Sequence, residues 1–110
     1  MRKSCRVYLI HIRDCINRIQ TYTASGKVAF WEDTKTQDAV IRNLEVLCES
    51  TRQLPEAWKA AHPEIDWRRI SDFRNVLAHQ YLDVDLKVVW DVAENYLPEL
   101  KAAVEAMEND

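Results

Sequence analysis

The chain contains a single glycine, Gly26, and only three prolines, Pro55, Pro63 and Pro98, in 110 residues. Tight β-hairpin turns draw on glycine for backbone conformations that other residues resist, so the composition argues against a fold of many short strands. The same scarcity suits a few long helices joined by short links. Apolar residues recur at helical spacing along most of the chain. The expectation is an all-α fold, a helical bundle of four main helices plus short additional helices, with residues 1–110 as one domain.

The helices can be placed from their stripes and punctuation. The first is predicted over residues 4–24, with Leu9, Ile12, Cys15, Ile16, Ile19 and Thr23 on one face and Tyr8 and Tyr22 beside it. Gly26 fits a helix stop or a loop. Phe30 and Trp31 then fall in a linker, and Thr34 or Thr36 caps a second helix over 37–54. Its inward stripe is Val40, Ile41, Leu44, Leu47, Cys48 and Thr51. Pro55 opens a short helix over 56–61, and His62 to Ile65 is a break. Asp66 caps a fourth helix over 67–78. Asp83 or Asp85 caps a fifth over 86–95, with Val89, Trp90 and Ala93 inward. Pro98 kinks the chain or opens a last helix bearing Leu100, Val104 and Met107.

Bulk properties narrow the class. At 47% hydrophobic and 30% charged residues the chain reads as globular. No apolar run approaches the ~20 residues of a membrane span, and the charged start Met1-Arg2-Lys3 leads into no continuous apolar signal segment, so a cytoplasmic protein without membrane attachment is expected. Cys5, Cys15 and Cys48 have no Cys-x-x-Cys spacing, which favours free thiols over disulfides or a zinc site. A formal charge of −3 argues against gripping long stretches of nucleic acid, so any such contact is local.

The richest chemistry lies in Arg74-Asn75-Val76-Leu77-Ala78-His79-Gln80-Tyr81. Arginine stabilises oxyanions and phosphates, and histidine moves protons near neutral pH. Together they suffice to cleave RNA without a metal, because RNA supplies its own nucleophile, the 2′-hydroxyl. On a helical projection Asp72, Asn75, Val76 and His79 share one line with Arg68 close by, opposite Trp67, Ile70, Phe73 and Leu77. Arg74 borders the apolar side and needs a carboxylate, carbonyl or anion partner, for which Glu49 or Glu45 is the candidate. Arg74 and His79 stand about 140° apart on a straight helix. They converge either if the helix loosens near Ala78 or if a second copy faces the first across a dimer axis, the favoured arrangement because one small subunit offers little concave surface. Lys59, Arg68 and Arg69 could extend a groove, but a solvated face explains them as well. Phe30, Trp31, Trp58, Trp67 and Trp90 fit core or interface better than base stacking.

Arg74 to His79 matches the Arg-x4-His form of the HEPN motif, and with Tyr81 the string resembles the Arg-x4-His-x-Tyr of HepT-like toxin ribonucleases. The resemblance runs along nearly the whole chain. It takes in Tyr8 to Ile16, Phe30, Asp38 to Glu45, Leu54-Pro55, Pro63 to Trp67, Val89-Trp90 and Leu97 to Leu100. It implies a HEPN-type bundle acting as a homodimeric, metal-independent endoribonuclease without cofactor. It also implies the toxin of a toxin–antitoxin pair, neutralised by a nucleotidyltransferase antitoxin that attaches AMP to Tyr81. Many such proteins carry Gly-Glu-Ala where this chain has Cys48-Glu49-Ser50, which keeps the carboxylate but adds volume.

Carried onto this chain, the resemblance makes Arg74, His79 and Asn75 catalytic and Tyr81 the site of modification. Glu49 and Asp72 support the site by ion pairing or by lining the groove. The alternative is a non-catalytic HEPN domain that binds RNA, a nucleotide or a nucleotidyltransferase partner. A purely structural bundle would instead lock Arg74 to Glu49 and bury Tyr81.

Overall fold

Gly26 marks the first reversal of the chain. Its φ of 97° is a backbone conformation that side chains with a Cβ rarely adopt, and it sits between two helices as the N-cap of the second. The computed structural model describes the backbone of residues 2–79 and 84–109 and the side chains of residues 5–77 and 84–109. Within them the elements are α1 (Arg2–Tyr22), α2 (Lys27–Glu32), α3 (Thr34–Arg52), α4 (Glu56–Ala60), α5 (Trp67–His79), α6 (Leu86–Asp91), a π turn (Val92–Tyr96) and α7 (Leu97–Asn109). The described residues are all-α, with α1, α3, α5 and α7 as the four long helices.

Helix α3 is central. It packs against α1 on one side and α5 on another, and α7 closes against α1. The stripes read from the sequence form the joint. Leu9, Ile12, Ile16 and Ile19 of α1 meet a core that includes Val40, Leu44 and Leu47 of α3 and Leu77 of α5, all buried. Leu97, Leu100, Val104 and Met107 of α7 complete it. At the far end of this core the Arg13 guanidinium donates to the Glu108 carboxylate at 2.6 Å, tying α1 to the end of α7.

Two parts of the linkers differ from the sequence reading. The Phe30–Trp31 segment is a helix, α2, because Phe30 is drawn fully into the core. There its ring lies 5.3 Å from that of Trp90 and 5.7 Å from that of Trp31. The cap of α3 is Asp33, not Thr34 or Thr36. Its carboxylate accepts from the Lys35 backbone N–H at 3.0 Å and from the Thr36 hydroxyl at 2.8 Å. Thr36 therefore supports the cap rather than forming it. Its hydroxyl bond, with the backbone bonds from Lys35 and Thr36, holds the Asp33 carboxyl below the usual range.

The fifth helix also departs from the expected continuous run. Asp85 caps it, accepting from Lys87 N–H at 2.9 Å, while Asp83 lies outside the described residues. After Asp91 the helix widens into the π turn, and α7 follows at Leu97. The cause is Pro98. It has no N–H to donate, and in a regular helix its ring would strike the carbonyl four residues back. The widened turn accommodates this without breaking the helical path.

The elements that present α5 are firmly anchored. Asp66 caps it, accepting from Arg69 N–H at 3.0 Å. The Trp67 indole N–H reaches the carbonyls of Lys59 and His62 at 3.0 and 3.1 Å, pinning the start of α5 to the end of α4 and the loop after it. Leu77 is fully buried two residues from its end. Replacing Leu77 with Ala is expected to lower unfolding free energy by about 2–5 kcal/mol in denaturant titration, against less than about 0.5 kcal/mol for the exposed Val76→Ala.

Candidate active site

The site is built on the seam between α3 and α5. The apolar stripes of the two helices turn Arg74 toward α3, where its Nε lies 3.1 Å from Glu49 Oε2. Glu49 also lies 3.8 Å from Arg52 Nη1 on its own helix. The Arg74 and Glu49 side chains are 36% and 48% exposed, so the pair is open to water and not locked into the core. Beside it is a polar depression of about 270 Å³ lined by Arg42, Glu45, Val46, Glu49, Ser50 and Arg74. A pre-oriented, solvent-facing guanidinium at the edge of a depression can receive an anionic oxygen with its remaining N–H groups.

Arg42, Ser50 and Arg52 were not singled out from the sequence. Arg42, Glu45, Glu49 and Arg52 recur at three- and four-residue steps along the edge of α3, with Ser50 next to Glu49, and that spacing beside Arg74 is the available signal. Cys48 is buried close behind the site. Desolvation pushes its thiol up to about 12, with the Arg74 charge opposing and Glu45 and Glu49 adding to the rise. Cys15 is also buried and Cys5 half-buried, and all three thiols are free.

The other site residues of α5 fall on its outer side. Asp72 and Asn75 are exposed, and Asp72 is turned away from Arg74 toward the opposite flank. The backbone of α5 stays helical through His79, so no loosening near Ala78 occurs. The imidazole of His79 and the whole of Tyr81 lie outside the described residues. The structure thus brings together Arg74 and Glu49, and sets Asn75 and Asp72 on the same helix but on another face.

The basic residues weighed as a groove extension are dispersed. Lys59 is largely covered and pairs with Glu56 at 3.3 Å. Arg69 lies over the Tyr96 ring at 4.9 Å, and Arg68 is exposed. No helix among the described residues is long and apolar enough to cross a membrane.

Comparison with known proteins agrees with this architecture. The family described as ribonuclease HepT-like matches residues 12–107. The chain belongs to the HepT-like ribonuclease family. It is 36% identical over 110 residues to the "Probable ribonuclease HepT" of Thermococcus cleftensis, spanning 97% of this chain and 98% of that one. It is 33% identical over 98 residues to the "Putative RNase MJ0127" of Methanocaldococcus jannaschii, spanning 88% and 81% of the two chains. No solved structure matches it.

Two outcomes follow for this HepT-like chain. Because both partners are well solvated, Glu49→Gln is expected to change stability by less than about 1 kcal/mol. The Cys48 thiol stays protonated in the native state up to about pH 12, whereas the unfolded thiol ionises from about its ordinary value of 9.0. The native state therefore holds more protons between those values, and this contribution to stability is lost as pH rises above 9.0. Urea titrations of wild type and Cys48→Ala across alkaline pH should show the steeper decline in wild type.

Proposed function

We propose that this chain is a metal-independent endoribonuclease that cuts RNA by attack of the 2′-hydroxyl on the adjacent phosphate. The observation that carries this reading is the Arg74 guanidinium, held by Glu49 at an open polar depression on the helix that also bears Asn75 and His79. Arg74 neutralises the charge that grows on the non-bridging oxygens as phosphorus becomes five-coordinate. One His79 takes the 2′-hydroxyl proton while a protonated His79 delivers a proton to the departing 5′-oxygen. An ordinary imidazole pKa of about 6.5 suits both tasks. Asn75, one helical turn before His79, orients the imidazole or binds a phosphate oxygen. Glu49 keeps Arg74 aimed, while Asp72 stands on the opposite flank of α5. The products are a 2′,3′-cyclic phosphate and a 5′-hydroxyl. Metal is unnecessary because nucleophile, cation and proton carriers are all supplied by RNA and these side chains.

The helical backbone that continues through His79 supports a homodimer. On a straight helix Arg74 and His79 point about 140° apart, so one copy does not bring both to one phosphate. A two-fold pairing of α5 sets the Arg74 of one subunit near the His79 of the other. In this reading the protein is the toxin of a cytoplasmic toxin–antitoxin pair. Its antitoxin is a nucleotidyltransferase that transfers AMP to Tyr81. An anionic adduct two residues from His79 would occupy the Arg74 cation and exclude RNA.

Cleavage of RNA by the purified protein tests the proposal. His79→Ala and Arg74→Ala are expected to lose activity by a factor of about 100 or more while circular dichroism is unchanged. Excess chelator should leave the rate intact. RNA binding without cleavage in the wild type would instead make this a non-catalytic domain. Mass spectrometry after co-expression with a neighbouring nucleotidyltransferase gene should show a gain in AMP units at Tyr81.

A further inference from the structure

A second concavity lies on the other flank of α5 from Arg74. It is an apolar groove of about 360 Å³ between α5, α3 and the α6–α7 region. Its floor includes Leu44, Ile70 and Phe73. At its mouth stand Val76, Val88 and Tyr96, which are 41%, 44% and 40% exposed. They come from three successive elements, α5, α6 and the π turn, yet converge on one opening. Scattered exposed apolar residues are ordinary, but three gathered around one cavity form a patch that water wets at a cost. On the helical projection the groove flank, marked by Arg69, Phe73 and Val76, is turned roughly 100° from the Arg68, Asn75 and His79 face used by the proposed dimer. The groove thus opens beside that face, with Asp72 on the boundary between the two.

The rim is predominantly acidic. Glu64, Asp66, Asp72, Asp91 and Glu99 surround the opening, and Arg69, engaged on the Tyr96 ring, is the one cation among the described lining residues. A second copy docked here by two-fold symmetry would set this acidic rim against itself. A basic partner would not. We propose that this groove is the docking site for a basic amphipathic helix of a partner protein, with aliphatic side chains at i, i+3, i+4 and i+7 entering the groove and flanking Lys or Arg residues meeting the acidic rim. Helix-in-groove recognition uses this division of labour, apolar anchors for affinity and charge for orientation. The proposal does not require the ribonuclease reading: of the residues assigned to the site, Arg74 and Asn75 are not among the described lining residues, and Asp72 is shared.

The probe is a labelled amphipathic peptide of about 18 residues, five helical turns, with a leucine stripe at those positions and lysines elsewhere. A mate carries glutamates in place of the lysines. Fluorescence anisotropy with the full chain should show the lysine peptide binding, weakening as salt rises, and the glutamate peptide failing to bind. The double variant Val88→Asn/Tyr96→Ser, at exposed positions, should weaken binding about tenfold or more with its thermal melt unchanged. Asp91→Lys/Glu99→Lys should weaken the lysine peptide and admit the glutamate peptide. Equal binding of both peptides, or binding of neither, would overturn the proposal. So would a wild-type dimer in sedimentation that Val88→Asn/Tyr96→Ser converts to monomer, because a second copy would then be the occupant.

Discussion

The seating of α5 on α3 governs what this protein can do. Leu77 and Phe73 on one helix and Leu44, Leu47 and Cys48 on the other leave little freedom of rotation about the α5 axis, because turning it would expose the stripe to water. That rotation sets three directions at once. Arg74 is turned toward Glu49, Asn75 faces solvent, and Val76 opens onto the apolar groove. The chemistry of the site is thus decided by oil before it is tuned by charge. The Arg74–Glu49 contact is too solvated to hold the helices together, and its role is to aim a cation that packing has already placed.

Much of the fold was legible because long amphipathic helices announce themselves. The stripes of α1 and α3 and the caps Asp66 and Asp85 are local patterns, and local patterns survive into the structure. The α2 helix was hidden because six residues carry too little periodicity. Only the long-range pull on Phe30 from Trp90 and the core makes it a helix. Asp33, Thr34 and Thr36 can all cap a helix, and the choice among them turns on a one-residue register that tertiary packing sets. The π turn has no signature of its own beyond the proline that follows it.

The candidate site divides the same way. That Arg74 would need a carboxylate from α3 follows from its place at the edge of an apolar face, and Glu49 stands there. The depression with Arg42 and Ser50, and the groove with its acidic rim, were invisible in sequence. Each assembles residues from elements whose relative placement no single-helix pattern encodes. Cys48 lies buried in this seam with its thiol protonated.

The widened turn ahead of Pro98 also acts on chain phase. One additional residue in a helical coil rotates everything downstream by about 100°. Leu97, Leu100, Val104 and Met107 reach the core in the phase that this insertion sets, while Tyr96 is left at the surface. The number of residues between Asp85 and Pro98 therefore works as a gear setting for the whole C-terminal helix. Related chains that lack this extra residue would need a different apolar register in α7, so sequence length here is conformational information in its own right.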